Sequence, residues 1–402
     1  MKWVFAFTAV CVSTISGARA VILLDTGVPS VNTTAPGGPL TNSGWQYEGQ
    51  WGGYLGTPIA PHFFVSATHI GQAGSNLIFQ GSTDTIVRSV SLPGSDLLIW
   101  QVKETFPSFA PLYFKSDEVS RHLVVIGRGT ERGSEVTLGG TMRGWNWGDA
   151  TGVERWGEND VANIVPDNGH ELLYATFDQH LQPNDHPNES HLSSGDSGGA
   201  LFLNDSSDGV WKLAAINFAV DDLYTAPSTD TKFAAAIFDA RDFYSYDGTS
   251  FTQISGANPV PTGFYGSRIS SELAWIGSVI ADPQVGREGN FLTVTYSKLT
   301  VPVTELTYTV EKSDDLVSWS TATTQDEVVA IAGDLETIKA KIDPGTSTHL
   351  FARLRVTGPS APPVQPAKRG NSKSPITRGT QQTPVSKLPP PARFIEMVPL
   401  TD

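Results

Sequence analysis

Short apolar runs separated by glycine, proline, threonine and serine divide the chain almost throughout. Runs of this length, bounded by turn-forming residues, are typical of β-strands because a helix needs a longer periodic segment. The clearest predicted strands are Phe63–Ala67, Leu97–Val102, Leu123–Ile126, Ala200–Leu203 and Leu213–Phe218. The pattern favours an all-β fold, and 402 residues are enough for two domains.

One segment departs from the strand pattern. In the sequence SRISSELAWIGSVI, apolar residues recur at helical spacing at Ile269, Leu273, Ile276 and Ile280. Ser267 precedes them and is a candidate N-cap. The spacing predicts a single amphipathic helix that closes a β domain.

After this helix the sequence predicts three further segments, a linker, a small β-sandwich and a disordered tail. Residues 283–290 are mostly polar or glycine and are predicted to be a linker. Residues 291–356 contain four runs of clean apolar alternation, which indicate a small β-sandwich. Residues 357–402 hold ten of the 27 prolines, with six Lys or Arg against two acids, and are predicted to be a disordered tail.

The first twenty residues are typical of a secretory signal peptide. Lys2 gives a basic start, an apolar stretch follows, and Ala18, Arg19 and Ala20 form a small-x-small cleavage site. The apolar stretch is short for a bilayer and no longer one follows, so no membrane span is expected. The mature chain is expected to begin near Val21 and to be secreted, either extracellular or periplasmic.

The mature chain is acidic and lacks cysteine. Cys11, the only cysteine, lies in the signal peptide, so no disulfide is expected and the hydrophobic core must carry the stability. The net charge of −14 becomes −16 once Lys2 and Arg19 are removed. An acidic chain is a poor match for nucleic acid or an anionic membrane, so neither partner is expected.

The sequence HLSSGDSGGALF crowds three glycines around Ser197. Glycine is used where the backbone is strained or closely approached, so this serine is either part of a structural turn or a presented nucleophile. A serine nucleophile needs a histidine base and an acid that orients the base. His69 follows an apolar strand, and Asp96 begins the next strongly apolar run, with Asp84 and Asp117 as alternative acids. The order His, Asp, Ser fits a catalytic triad.

Four segments resemble the chymotrypsin-like serine proteases. They are GDSGG around Ser197, SATHI around His69, SDLLIWQV around Asp96, and TGFYGSRISSELAWI at the predicted helix. Together they cover roughly residues 45–280. The resemblance implies two six-stranded antiparallel β-barrels with a C-terminal helix, in a protease domain of residues 21–282.

The resemblance also assigns roles to residues of this chain. Ser197 would be the nucleophile, His69 the general base and then acid, and Asp96 the group that fixes the imidazole tautomer. The backbone N–H groups of Gly195 and Ser197 would form the oxyanion hole, where donors must already be in place for the developing charge.

The residue six positions before the nucleophile helps to form the floor of the primary substrate pocket in this family. Here it is His191, and residues 217–219, beginning with Asn217, stand where the family has a wall that pairs with the substrate. His191 and Asn217 are therefore candidate substrate-binding residues. A floor without an acid predicts that cleavage after Arg or Lys is not preferred, and that acidic residues gain below about pH 6.5, where an ordinary histidine becomes charged. The alternative is that His191 points away from the pocket and only packs the loop.

Two segments of the protease domain depart from the family. Signal cleavage would expose Val21 as an aliphatic amino terminus, available to pair with Asp196 as in the animal enzymes. Some 25 turn-rich residues precede the first convincing barrel strand, which argues against that pairing. Residues 221–261 are longer than a plain protease needs and are expected to contain an added hairpin on the substrate side.

Three other motifs carry less weight. GDSGG also matches the G-x-S-x-G elbow of α/β-hydrolases, but that fold needs a helix after the serine and a later histidine, and only His349 in the terminal domain follows. HELLY at His170–Tyr174 lacks the second histidine of the zinc motif H-E-x-x-H. His180, His186 and His191 share a polar loop without thiols and are interpreted as solvated or pocket-lining, so no metal or other cofactor is expected.

The terminal β domain resembles small C-terminal modules of secreted bacterial proteins through LTYTVEKSDDLVSWS and LFARLRV. A surface- or carbohydrate-binding role would use Trp319 and Tyr308, and the alternative is a passive spacer with these rings in its core. The whole sequence predicts a secreted serine endopeptidase that acts on protein or peptide substrates. The alternative is a catalytically silent binding protein that keeps the protease fold.

Overall fold

The structure, a computed structural model, describes residues 21–357 except residues 151, 180–185, 222, 228–230, 247–248, 302–305 and 348. Nearly all of its regular structure is β, as predicted. The predicted signal peptide, His180 and the predicted tail beyond Thr357 lie outside the described residues. No helix in the described part of the chain has the length and apolar character needed to cross a membrane.

The first part of the predicted protease domain contains the strands β1 (Ile22–Leu23), β2 (Gly49–Trp51), β3 (Tyr54–Ala60), β4 (Phe63–Ala67), β5 (Asn76–Phe79), β6 (Ser82–Ser91) and β7 (Leu97–Val102), and the 3₁₀ turns Gly38–Leu40, Trp45–Tyr47 and Thr68–Ile70. Six of these strands form a closed antiparallel barrel, as predicted, with the strand order β2-β3-β4-β7-β6-β5. Successive side chains of β7 point to opposite faces of the sheet and pack in two different cores. Leu98 and Trp100 pack in a core made mainly by the barrel strands, whereas Ile99 packs with the second half of the fold.

The second half of the predicted protease domain contains the strands β8 (His122–Gly127), β9 (Thr130–Leu138), β10 (Thr141–Ala150), β11 (Arg155–Asp160), β12 (Asn163–Asp167), β13 (His170–Thr176), β14 (Ser190–His191), β15 (Ala200–Asp205), β16 (Val210–Val220), β17 (Leu223–Thr225), β18 (Ala235–Ile237), β19 (Tyr244–Tyr246), β20 (Phe251–Gln253) and β21 (Gly263–Arg268). Seven of them form one antiparallel sheet with the order β11-β8-β15-β16-β21-β13-β12. Three smaller sheets complete it: β1-β14, β18-β10-β9 and β17-β19-β20.

The second half differs in detail from the predicted six-stranded barrel. Among the described residues, β11 and β12 form the two edges of the seven-stranded sheet and do not pair with each other. Strand β10 instead joins β9 and β18. Its pairing with β9 shifts register at three places, and such bulges bend and twist a ribbon. The expected extra hairpin within residues 221–261 is present as the three-stranded sheet β17-β19-β20.

One α-helix, α1 (Leu273–Ile280), follows β21 as predicted. The predicted cap at Ser267 is wrong, because this residue lies in β21 and pairs with Leu172 and Ile216 on the neighbouring strands. Ile269 precedes the helix and is fully buried. The apolar spacing therefore predicted a helix in the right place. The residues predicted to begin it belong instead to the end of β21 and to the segment that follows that strand.

The strands of the terminal domain are β22 (Gln284–Glu288), β23 (Phe291–Leu299), β24 (Thr307–Ser313), β25 (Ser320–Thr321), β26 (Thr324–Ala332), β27 (Leu335–Ile342) and β28 (Phe351–Thr357). They form two facing sheets, β22-β23-β27-β26 and β25-β24-β28. Apolar residues of both sheets form one core, as the sandwich prediction requires. The predicted linker is wrong, since residues 284–288 pair with β23 as an edge strand. Both faces of that strand are largely exposed, so it carries no apolar alternation.

Helix α1 joins the two domains through a shared core. Ile276 and Ile280 belong to the same buried cluster as Leu299 and Leu335 of the terminal domain. The contact is close at Gly277, where an added Cβ would lie 2.5 Å from a side-chain carbon of Leu306. The terminal domain therefore contributes to the core beneath the helix.

A chain that ends at Asp282 is expected to unfold at a lower temperature than the full chain. It would expose the helix face that packs on the terminal sheets, and burial of one large aliphatic side chain contributes about 1.5–3 kcal/mol. Thermal unfolding followed by circular dichroism measures the change. A chain ending at Thr357, which keeps all seven terminal strands, is the control. Equal midpoints for the two shortened chains would show that the domains are independent.

Candidate active site

His69 and Asp96 lie just beyond the ends of two paired barrel strands. Ala67, the last residue of β4, pairs with Leu97, the first residue of β7. The His69 N–H donates to Asp96 Oδ1 at 2.9 Å, and His69 Nδ1 lies 2.8 Å from Asp96 Oδ2. The strand register therefore brings the two predicted residues together.

Ser197 lies in the loop between β14 and β15, with its Oγ 2.7 Å from His69 Nε2. Gly195 and Gly198 on either side have φ angles of +96° and +80°, which favour glycine. A Cβ on Gly198 would lie 2.3 Å from Ser66 Oγ in the first barrel. Glycine thus lets this loop press against the barrel that carries His69.

The two alternative acids lie elsewhere. Asp84 accepts a hydrogen bond from Ser82, and Asp117 accepts one from the Tyr113 hydroxyl. The side chain of Asp96 is 9% exposed and that of His69 is 30% exposed, so the acid is sheltered while the imidazole remains accessible. A buried carboxylate beside a reachable imidazole suits a base that is held in one tautomer.

The nucleophile loop leaves some backbone donors without an acceptor among the described residues. The N–H groups of Asp196, Gly198 and Gly199 donate to carbonyl oxygens of the protein. Within the described ranges, the N–H groups of Ser194, Gly195 and Ser197 have no such acceptor, and the last two are the relevant pair. These are the two donors that the sequence resemblance assigned to the oxyanion hole.

Asn217 does not face a substrate, contrary to the prediction. Its side chain is fully buried, and Nδ2 donates to the carbonyl oxygens of Ile126 (2.8 Å) and Asp196 (3.0 Å). Its backbone N–H donates to the Gly199 carbonyl, and its own carbonyl accepts the Gly198 N–H. Both backbone groups are therefore unavailable to a substrate, and the contacts of Asn217 instead hold the nucleophile loop in place.

His191 is buried, and the prediction that it becomes charged below pH 6.5 is wrong. Its ring packs edge-on against Phe177 and Phe264, and Nδ1 lies 2.6 Å from the Leu192 carbonyl oxygen. Burial lowers the pKa of His191 to about 4. The imidazole is therefore neutral at pH 6.5, and a gain of acidic substrates through its charge is not expected.

His191 is expected to make folding less favourable as the pH falls from about 6.5 to 4. In this interval the unfolded chain binds a proton at His191 and the folded chain does not, which costs about 3 kcal/mol at pH 4. Urea unfolding of the wild type and of His191→Phe, across this range, measures the difference in slope.

His170 provides a control of opposite sign. Its ring is bonded to Glu272, which raises the pKa of His170. The contribution of His170 to stability is present below the unfolded pKa and is lost as the pH rises through the folded one. His170→Gln should therefore steepen the acid loss of stability, whereas His191→Phe should reduce it. Parallel curves for wild type and His191→Phe would contradict the buried neutral state.

Asp196, beside the nucleophile, is buried beneath the loop. Its carboxylate accepts from the Gly129 N–H (2.7 Å), the Ser193 N–H (2.7 Å) and the Ser193 hydroxyl (2.9 Å). The backbone nitrogen of Val21 donates to Oδ1 at 3.3 Å. Burial raises the pKa of Asp196 to about 6, and the hydrogen bonds oppose that rise.

The segment that begins at Val21 is held firmly next to this loop. Ile22 pairs with His191, and the Leu24 N–H donates to the Glu189 carbonyl. Buried Arg155 donates to the carbonyl oxygens of Val21 and, further on, of residues 28 and 29. The turn-rich sequence that argued against a contact between Val21 and Asp196 is therefore anchored, and the two residues meet.

Sequence reasoning did not predict the contacts of two residues of the site. Phe218, within the predicted substrate wall of residues 217–219, packs edge-on against the His69 ring, with centroids 5.9 Å apart. Ser193 binds Asp196 through both its N–H and its hydroxyl. Neither residue stands out in the sequence, because each acts through a contact that only the fold creates.

The two aromatic residues proposed for surface binding are engaged within the terminal domain. Tyr308 stacks on Tyr296, and burial raises the pKa of Tyr308 to about 12. The ring of Trp319 is covered by the Arg353 guanidinium, 4.1 Å from its centroid. The alternative, in which these rings pack inside the domain, fits Tyr308, and a ligand would find Trp319 covered on one face.

Comparison with known proteins adds little to the geometry. No protein-family model and no curated protein matches the chain. Among solved structures, an inactive form of a serine-to-alanine mutant of Rv3671c from M. tuberculosis H37Rv is 11% identical, covers 63% of this chain and 98% of that chain, and has a TM-score of 0.33. The active form of the Rv3671c protease from M. tuberculosis is 14% identical over 45% of this chain and 67% of that chain, with a TM-score of 0.28. Similarities this low carry no argument about function, which rests on the site itself.

Proposed function

We propose that this chain is a secreted serine endopeptidase that hydrolyses peptide bonds through an acyl-enzyme. The observation that carries the proposal is the continuous line from Asp96 through His69 to Ser197, with 2.8 Å and 2.7 Å separations. Such a line is what a serine hydroxyl needs to lose its proton at neutral pH. Secretion follows from the predicted signal peptide.

The geometry supports the following steps. Asp96 accepts the Nδ1 proton of His69, so the Nε2 lone pair faces Ser197 Oγ. As Oγ attacks the substrate carbonyl, His69 takes the hydroxyl proton, and the N–H groups of Gly195 and Ser197 stabilise the oxyanion. His69 then protonates the leaving amine, which gives the acyl-enzyme. Water attacks this ester by the same route and releases the acid and Ser197.

Val21 adds a proposed activation step. Cleavage after Ala20 would turn the backbone nitrogen of Val21 into an ammonium group at a position 3.3 Å from buried Asp196 Oδ1. An ion pair there would stabilise the loop that carries Ser197, since a buried carboxylate gains most from a partner of opposite charge. Removal of the leader would thus complete the site.

Cleavage after Arg or Lys is not expected to be favoured. No acid occupies the position six residues before Ser197, and buried His191 is neutral, so a basic side chain buried there would be unpaired. A peptide-library profile at pH 5.5 and pH 7.5 tests this. Apolar residues should be preferred at both values, with the same profile. Strong cleavage after Arg or Lys would contradict the pocket assignment.

The alternative is a silent binding protein with the same fold. A fluorophosphonate probe distinguishes the two, because it bonds covalently only to an activated serine. The proposed enzyme, prepared with Val21 as its first residue, should label with one probe per chain, and the adduct should map to Ser197. Folded protein that neither labels nor cleaves peptides would favour the silent protein.

A further inference from the structure

Three side chains with metal-ligating atoms meet away from the candidate active site. They are His122, Glu158 and His186, and one ligand atom from each lies within 4.8 Å of the other two. His122 Nε2 is 3.0 Å from Glu158 Oε1, and His186 Nδ1 is 3.8 Å from the same oxygen. The Glu158 side chain is only 6% exposed, so its charge is sheltered from water.

The sheet positions two of these residues. His122 pairs with Asp160 across β8 and β11, and Glu158 lies two residues before Asp160 on the same face. The loop that carries His186 is tied alongside, because the Glu158 N–H donates to the Asn188 carbonyl at 2.8 Å. All three side chains therefore sit on backbone held by hydrogen bonds.

Polar neighbours orient the ligands as they do in known metal sites. His186 Nε2 lies 3.0 Å from Asp160 Oδ1, so a proton on Nε2 would leave the Nδ1 lone pair facing Glu158. Asn188 Nδ2 donates to the second oxygen of Glu158 at 2.6 Å and is itself bonded to Asn32. Carboxylate-bound histidine rings and hydrogen-bonded carboxylates are the usual supports of metal ligands.

Hydrogen bonding leaves one nitrogen of this cluster poorly satisfied. His122 Nε2 is buried, and although it is close to Glu158 Oε1, it has no hydrogen bond of acceptable direction among the described residues. Two nitrogens approach one carboxylate oxygen, and a shared cation would satisfy both. The rings of His122 and His186 are stacked, with centroids 4.2 Å apart and planes within 10°, so one ring must turn before both nitrogens face a single ion.

We propose that His122 Nε2, Glu158 Oε1 and His186 Nδ1 bind one Zn²⁺ ion, with water as the fourth ligand. Tetrahedral Zn²⁺ with bonds of about 2.0–2.1 Å separates its ligands by about 3.3 Å, and the separations of 3.0 and 3.8 Å bracket that value. Two imidazoles and a carboxylate favour Zn²⁺ over Ca²⁺ or Mg²⁺. The ion would fasten the loop of His186 to β11.

The test uses full-length protein stripped with a chelator and then titrated with Zn²⁺ or with Co²⁺, whose tetrahedral complexes absorb visible light. One equivalent should bind, and Co²⁺ should give tetrahedral bands that Zn²⁺ removes. His122→Gln and His186→Gln should each weaken binding at least about 100-fold, and Asp160→Asn by about 10- to 100-fold. The matched control is His170→Gln, which alters a histidine bonded to one carboxylate, Glu272, and should leave binding unchanged.

Failure of the wild-type protein to bind either metal would overturn the site, as would unchanged affinity in both ligand variants. If those variants do not fold, Asp160→Asn decides, because this side chain is 48% exposed and its loss should be tolerated. Unchanged Co²⁺ affinity in that variant would then overturn the proposal. Metal binding is measured without substrate, so the result is independent of the proposed peptidase activity.

Discussion

Replacing Ser197 with alanine is expected to abolish fluorophosphonate labelling and to lower kcat/KM for peptides by about four to six orders of magnitude. The Ser197 hydroxyl oxygen lies 2.7 Å from His69 Nε2, and without this oxygen no acyl-enzyme can form. His69→Ala should have nearly the same effect, because the hydroxyl then loses its base. Purified variants are compared by labelling and by steady-state kinetics.

Ser194→Ala is the matched control for this prediction. Ser194 lies in the same loop three residues earlier, and it is exposed, so the same substitution should leave labelling intact.

Asp96→Asn should preserve the fold yet reduce kcat by about 10⁴-fold, since an amide cannot hold the same histidine tautomer. A Ser197→Ala variant that retains wild-type turnover would show that the activity resides elsewhere.

The catalytic candidates could be found from sequence because each lies at a point where local pattern and fold agree. His69 and Asp96 flank strands whose apolar composition is unmistakable, and register then brings those strand ends together. Ser197 is marked by glycines that its tight loop requires at φ above zero. Two strands of the first barrel, Phe63–Ala67 and Leu97–Val102, were predicted from their apolar runs, whereas the barrel as a whole was implied by the resemblance.

What could not be predicted depends on contacts between distant segments. The charge state of His191 is set by the rings of Phe177 and Phe264, which no spacing rule connects to it. Strand β22 is largely exposed on both faces and only Val285 packs against the core, so its sequence has no apolar alternation and resembled a linker. The His122 cluster joins residues from two strands and a loop, and only His186 had been considered, as a solvated or pocket-lining histidine on that loop.

The amino-terminal contact gives the second large expected effect. A chain that begins at Val21 should be at least about 100-fold more active than one with a single alanine added before Val21. Breaking a buried ion pair costs about 3–5 kcal/mol, which corresponds to a factor of roughly 10² to 5 × 10³ in the population of the active loop. Both chains can be released from a fusion by a site-specific protease and compared by kcat/KM and active-site titration.

The readouts separate loss of the ion pair from loss of the fold. Thermal unfolding of the extended chain should stay cooperative, since Ile22 still pairs with His191 and Arg155 still holds the Val21 carbonyl. In the chain that begins at Val21, Asp196→Asn should lower activity at least to the level of the extended chain, because it removes the ion pair and also one oxygen that accepts from Gly129 or Ser193. Combining the two changes should cost less than the sum of the single effects, because both break the contact between Val21 and Asp196. The activity of the Val21 chain should also fall at alkaline pH, where the ammonium loses its proton, while the extended chain shows no such loss.

Equal activity of the two chains would mean that hydrogen bonds from Gly129 and Ser193 to Asp196 are sufficient to hold the loop, and that cleavage of the leader does not activate the enzyme.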